Sequence, residues 1–199
     1  GSPGAAAAVY STRIEDGGRV PTRVWAQPLG ARPVAPRLSA GTPDGLTLVG
    51  SRGAGLWWVD TAHGNRVTEI TSPVTPDRVP IVMETPSISP DGRWIAYSSN
   101  RSGKNEIYVQ PFPAMDRVSQ VSVNGGVEPV WSRDGSELFF RGWHQPSNMF
   151  GMLSVPVNGG GAFGHGAPRN LFEDPPVGGA LAGYDVSADG RRFIMIRRD

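Results

Sequence analysis

Four tetrapeptides of the form Ser/Thr-x-Asp-Gly recur along the 199 residues and constrain the fold more than any other feature. They are Thr42-Pro43-Asp44-Gly45, Ser89-Pro90-Asp91-Gly92, Ser132-Arg133-Asp134-Gly135 and Ser187-Ala188-Asp189-Gly190. Each reads as a turn between two strands. Proline presets φ, aspartate bonds to its own backbone two residues on, and glycine supplies a positive φ. Asp44 and Gly45, Asp91 and Gly92, Asp134 and Gly135, and Asp189 and Gly190 are therefore structural turn residues. Their recurrence, with the glycines 47, 43 and 55 residues apart, marks each repeat as one supersecondary unit.

Downstream of each turn the chain is apolar at alternate positions: Leu48 and Gly50, Ile95 and Tyr97, Leu138 and Phe140, Phe193 and Met195. Residues spaced by two share one face of a strand. The residues between them, Val49, Ala96, Phe139 and Ile194, are apolar too, which predicts strands buried on both faces. A third strand recurs further along as Val24–Leu29, Ile107–Phe112 and Met152–Val157, with Leu56–Val59 as a looser copy, and a last strand is expected over Arg117–Val123. Proline near the end of this third strand suits a position close to a sheet edge. Helical periodicity is missing, so solenoid repeats of similar length do not fit.

The reading is an all-β chain, a β-propeller of four-stranded antiparallel blades, with about four to five blades that form part or all of a ring. The repeats fall at 9–40, 41–83, 84–126, 127–174 and, incomplete, 182–199, and residues 1–8 are a linker or cloning remnant. Loops between the second and third strands are expected at Glu15–Gly18, Ser51–Gly55, Asn100–Asn105 and Gly142–Asn148. A ring left open exposes sheet edges and invites self-association.

Composition agrees and excludes several functions. Gly 27 and Pro 19 suit a turn-rich globular chain. With 19 basic and 18 acidic residues the net charge is +1, and no basic stripe of the kind that phosphate backbones require is present, so nucleic acid is not an expected partner. Cysteine is absent, which removes disulfides and thiol chemistry and leaves the compartment open. No apolar run is long enough to span a bilayer, so membrane insertion by this chain is not expected.

No catalytic, metal or cofactor site is expected either. Gly159 to Gly164 matches a dinucleotide-binding glycine pattern in form only, since that pattern works between a strand and a helix; here it reads as a blade loop. His63, His144 and His165 stand singly in loops, without ligand or triad spacing. The nucleophile elbow and the kinase signatures are missing. Trp57, Trp58 and Trp131 read as blade core. The expected binding residues sit in loops between second and third strands: Asn100 and Arg101 in one, and Arg141, Trp143 and His144 at the other.

Ser89 to Tyr97 and Trp131 to Gly135 resemble the TolB-type, WD40-like (PD40) propeller repeat. The stretch from Glu84 to Asp199 is similar to the propeller that bacterial membrane-anchored serine/threonine kinases carry beyond the kinase domain. The resemblance implies a ring of about six blades and a non-catalytic module that grips a protein, a peptide or a small ligand. It also implies a bacterial cell-envelope setting, as the sensor part of a receptor-like kinase or as a TolB-like protein. The alternative it leaves open is the substrate-filtering propeller of a prolyl-oligopeptidase-like serine peptidase, with the hydrolase domain outside this chain.

Overall fold

The fold was taken from a computed structural model. The structure describes residues 8–15, 18–26, 37–41, 47–52, 55–60, 66–70, 81–144, 149–158, 160–173 and 183–195, with backbone pairing alone before residue 47. Every regular element among them is a strand. They are β1 (Ala8–Glu15), β2 (Gly18–Ala26), β3 (Arg37–Gly41), β4 (Thr47–Arg52), β5 (Gly55–Asp60), β6 (Arg66–Ile70), β7 (Met83–Ile88), β8 (Trp94–Ser99) and β9 (Glu106–Pro111). They continue with β10 (Ser119–Gln120), β11 (Gly126–Trp131), β12 (Glu137–His144), β13 (Met149–Asn158), β14 (Gly164–His165), β15 (Arg169–Glu173), β16 (Tyr184–Val186) and β17 (Phe193–Met195).

Pairing among these strands is antiparallel and joins near neighbours in sequence. One sheet runs β3-β4-β5-β6, the next β10-β9-β8-β7, and a third β11-β12-β13, with both β14 and β15 on β13; β1-β2 and β16-β17 are two-stranded. Antiparallel meanders, packed face to face in succession from the β3–β6 sheet to β16-β17, are the blade arrangement of a β-propeller. The fold class read from the turn spacing is the one observed.

Blade faces pack as the double-sided apolar pattern requires. Between the β7–β10 and β11–β15 sheets lie Trp94, Ala96, Ile107 and Val109 on one side and Trp131, Leu138, Phe140, Leu153 and Val155 on the other. The opposite face of β8 and β9, with Ile95, Tyr97 and Tyr108, meets Val49 and Leu56 of the preceding sheet. All six residues of β8 are buried in consequence. Trp131 also ties the two sheets, donating its indole N–H to the Ser87 carbonyl at 3.0 Å.

Three turns have one geometry. In each, the serine hydroxyl donates to the aspartate and accepts the backbone N–H five residues on, at 2.9 Å for Trp94, Glu137 and Arg192. The aspartate accepts the N–H two residues on, at 3.1 Å from Arg93, Ser136 and Arg191. Gly92, Gly135 and Gly190 hold φ values of 73°, 73° and 69°, a region costly for any residue with a Cβ. The tetrapeptide pattern alone gives the serine no role, yet the serine is the centre of the turn. Thr42 to Gly45 lie outside the described residues, as does His63.

These bonds give the turn a pH dependence. Hydrogen bonds from Ser132 and Ser187 hold the carboxyls of Asp134 and Asp189 below the usual range. At Asp91, partial burial pulls upward and is outweighed by Ser89 and Arg93. A depressed folded pKa means stability that is complete above the unfolded value of about 3.9 and lost as pH falls through the lower folded value. Thermal unfolding followed from pH 5 downward should therefore show a loss below about pH 4. Asp→Asn replacement at all three turns should flatten that loss, and an unchanged slope would refute the assignment.

Several expectations need correction. Strand β12 continues to His144, so Gly142, Trp143 and His144 lie on a strand end and not in a loop. Of the strand expected over Arg117–Val123, Ser119–Gln120 forms the strand, against Tyr108 and Val109, and Val121 N–H adds one bond to the Ile107 carbonyl at 2.8 Å. Ile194, expected to be buried, is 76% exposed, because β16-β17 has Phe139 and Phe172 packed on its Phe193 side and no described sheet against the other. The glycine-rich stretch needs no such correction: read as a blade loop, its described residues lead into β14, and its Phe163 packs on Trp94 and Trp131 at ring separations of 5.3 and 6.4 Å.

Candidate functional site

Antiparallel strands place the β8–β9 loop, the β12–β13 end and the β10–β11 connection on one end of the sheets, with the Asp-Gly turns on the opposite end. The expected binding residues gather at the first end, and their roles divide.

Asn100 is a structural cap: its side-chain oxygen accepts the Val82 N–H at 2.7 Å, and its carbonyl closes a turn on Gly103 N–H at 2.9 Å. Arg101 is exposed and holds its guanidinium 5.4 Å from the Tyr108 ring centre. Burial pushes the neighbouring Tyr97 hydroxyl up to about 12, against a smaller opposing effect of Arg101. That hydroxyl donates to Gln110 at 2.5 Å, so the tyrosine stays neutral and structural across ordinary pH.

Arg141 is not at the surface. It is 1% exposed in the middle of β12, with Nη1 donating to Glu128 Oε2 at 3.4 Å and the guanidinium 5.6 Å from the Phe150 ring centre. Glu128 sits at a bulge in β11 with φ 59°, itself 6% exposed. Its carboxylate also accepts the Gly183 N–H at 3.2 Å, and its carbonyl accepts the Tyr184 hydroxyl at 2.7 Å. The pair therefore fastens β16 to the preceding sheet. Burial and the Glu128 charge raise the Tyr184 hydroxyl well above its ordinary value, so it remains a donor.

The same blade position is filled differently one repeat earlier. Thr85, at a β7 bulge with φ 47°, faces Ser98 with the two hydroxyls 3.0 Å apart. The positions that bear an ion pair in one sheet bear a hydroxyl pair in the sheet before. Sequence reasoning missed Glu128 and Thr85; the signal available was the proline after each, Pro129 and Pro86, at equal distance before a repeated turn.

Trp143 is 43% exposed at the β12 end and meets Phe150 edge-on at 5.6 Å, its backbone partner in β13. His144 pairs with Met149, which is also 43% exposed. Gly125, in the β10–β11 connection, lies against the indole: a methyl placed there would be 3.3 Å from Trp143 Cδ1. Its N–H is accepted by the fully buried Glu106 at 3.0 Å, and Glu106 also accepts the Ser122 hydroxyl and lies 3.4 Å from Lys104 Nζ.

Chemically this end offers an aromatic and thioether surface beside exposed cations, and no cluster of three or more metal-ligating side chains occurs among the described residues. His165 is exposed, with its ring nitrogens against the Gln120 and Gly166 carbonyls at 3.1 and 2.9 Å.

No family model and no curated protein matches the chain. Solved structures do. TolB from Acinetobacter baumannii aligns over 94% of this chain and 47% of its own, at 18% identity and a TM-score of 0.52. A chain of a nidogen–laminin complex aligns over 96% of this chain and 67% of its own, at 12% identity and a TM-score of 0.61. A candidate 6-phosphogluconolactonase from Bacteroides uniformis aligns over 96% and 59%, at 13% and 0.50. The chain thus spans about half the length of the TolB neighbour. At such identities the likeness carries the propeller fold alone, and function must be argued from the site.

Proposed function

We propose that the chain is a non-catalytic propeller module that recognises a protein or peptide at the sheet end carrying Trp143. The observation that supports this most is an exposed tryptophan held on a strand end, braced by Phe150 and Gly125, on a scaffold whose strands are buried on both faces. Rigid aromatic anchors of this kind dominate binding energy at protein interfaces. Arg141, Asn100 and Glu106 serve the scaffold beneath it.

The finer reading rests on the repeat resemblance: the sensor part of a bacterial receptor-like serine/threonine kinase, or a TolB-like envelope protein. The sequence of the gene on both sides of this chain decides between them: an upstream kinase domain and membrane span support the sensor, a signal peptide with nothing else supports the envelope protein, and a downstream serine hydrolase replaces both with a peptidase filter.

Peptide display on immobilised protein tests the recognition itself. Wild-type protein should enrich sequences that the Trp143→Ala variant does not retain, at unchanged thermal stability; identical enrichment on both would sink the assignment of this end as the binding face.

A further inference from the structure

The proposed binding end is polarised, and its polarity specifies a partner. The apolar part is built on the β12–β13 strand ends, where Trp143 and Met149 are each 43% exposed: Trp143 shares one face of the sheet with its partner Phe150, which meets the indole edge-on, and Met149 pairs with His144 on the other face. Val123, 66% exposed, stands two residues before Gly125 in the adjoining connection. On the other side is the loop of residues 100–105, which carries Arg101 and Lys104 and no acidic residue; the connection of residues 121–126 carries no charge.

The two sides are continuous through three contacts. Trp143 lies against Gly125, Gly125 N–H binds Glu106, and Glu106 approaches Lys104 Nζ. Glu106 is 0% exposed and already accepts from Ser122 and Gly125, so its charge faces inward while the lysine side chain is 56% exposed. Besides the buried Glu106, the described carboxylates on strands that reach this end include the exposed Glu173, across from Gly151 of β13, the exposed Glu69, across from Trp57 of β5, and the half-buried Glu84, across from Ser98 of β8; the 100–105 loop itself carries none.

Building on the proposed binding role of this end, we propose that the surface docks a short acidic and apolar segment of a partner protein. Its apolar side chains cover Trp143, and its carboxylates meet Lys104 and Arg101. Apolar contact supplies most of the affinity in such an arrangement, and charge complementarity supplies selectivity and a salt-dependent association rate.

The test uses three fluorescent peptides of about ten residues, roughly 33 Å when extended. They share one pattern of Leu and Phe and differ in carrying Glu, Gln or Lys at the intervening positions. Fluorescence anisotropy on the whole chain should show the Glu peptide binding roughly tenfold tighter than the Gln peptide, a difference of about 1.4 kcal/mol, and the Lys peptide weakest. Raising salt from about 0.05 M to about 0.5 M should erase the advantage of Glu over Gln. The R101Q/K104Q double variant should do the same at low salt, and Trp143→Ala should weaken the Glu and Gln peptides alike.

Equal binding of Glu and Gln peptides, with both lost in Trp143→Ala, would overturn the acidic partner and leave the binding face standing. Peptide binding indifferent to Trp143→Ala would remove both. An oligonucleotide that displaces the Glu peptide through Arg101 and Lys104 would also overturn the proposal in favour of a phosphate ligand. The variants are checked by thermal unfolding.

Discussion

Glu128→Gln should destabilise the chain by about 3–5 kcal/mol, the usual cost of removing one partner from a buried ion pair. The reason lies with what remains. Arg141 is among the largest fully buried side chains, and without the Glu128 carboxylate its charge loses its facing counter-charge in an interior it cannot leave. Arg141→Met should cost a similar amount for the converse reason, since Glu128 would keep the Gly183 N–H and lose the cation.

The double variant is the decisive measurement. A neutral amide facing a methionine leaves no stranded charge, so E128Q/R141M should be more stable in urea denaturation than either single variant, with a coupling of at least about 1 kcal/mol. Additive losses would show that the pair does not act as a unit. Hydrogen exchange should locate the effect: amides of residues 184–195 should lose protection first, because Gly183 and Tyr184 are held by the same glutamate. The preceding repeat shows that a neutral pair is compatible with this blade position, where Thr85 faces Ser98.

Gly151→Ala should be the next most damaging single change. A methyl at Gly151 would collide with the Phe172 carbonyl, lie 2.9 Å from Asn170 Oδ1 and 3.2 Å from Glu173 Cα, all on β15. The obstacle is backbone on two of three counts, so β15 must shift off β13, and overpacking of this kind costs about 1–3 kcal/mol. Phe172 packs on Phe193 at 5.3 Å, which carries the disturbance into β17. Gly161→Ala is the control: nothing lies within 4 Å of its methyl position, and its stability should change by less than about 0.5 kcal/mol. Comparable denaturation midpoints for the two variants would contradict the close approach of β15.

These features differ in how far they can be read from the chain. The Asp-Gly turns are legible because a turn is local: proline, aspartate and glycine act on residues within five positions. Strand alternation after each turn is legible for the same reason, and stacking of double-sided apolar strands comes with it. The serine's part in each turn is also local and is hidden only because the N–H it accepts, five residues on, lies just beyond the tetrapeptide.

Arg141 shows where local reading ends. Its sequence neighbours, Phe140 and Gly142, do not distinguish an arginine at a loop from one in a sheet. What buries it is Glu128, thirteen residues away on β11, brought opposite by a bulge whose position depends on pairing between strands. Ile194 is the reverse case, an apolar residue in a strand pattern that matches its buried counterparts Val49, Ala96 and Phe139, yet it is exposed because burial needs a sheet on each side.

The repeat, the turns, the all-β blades and the want of a recognisable catalytic motif are written in the amino-acid order alone, because they depend on dihedral preferences and on period-two patterning within a few residues. Which polar side chains are scaffold and which are surface emerges only when the sheets assemble. Asn100, Glu106 and Arg141 are occupied by partners 13 to 19 residues away in sequence, whereas Trp143 and Met149 end their strands in solvent. That division depends on register between strands and on stacking between sheets, which no local pattern encodes.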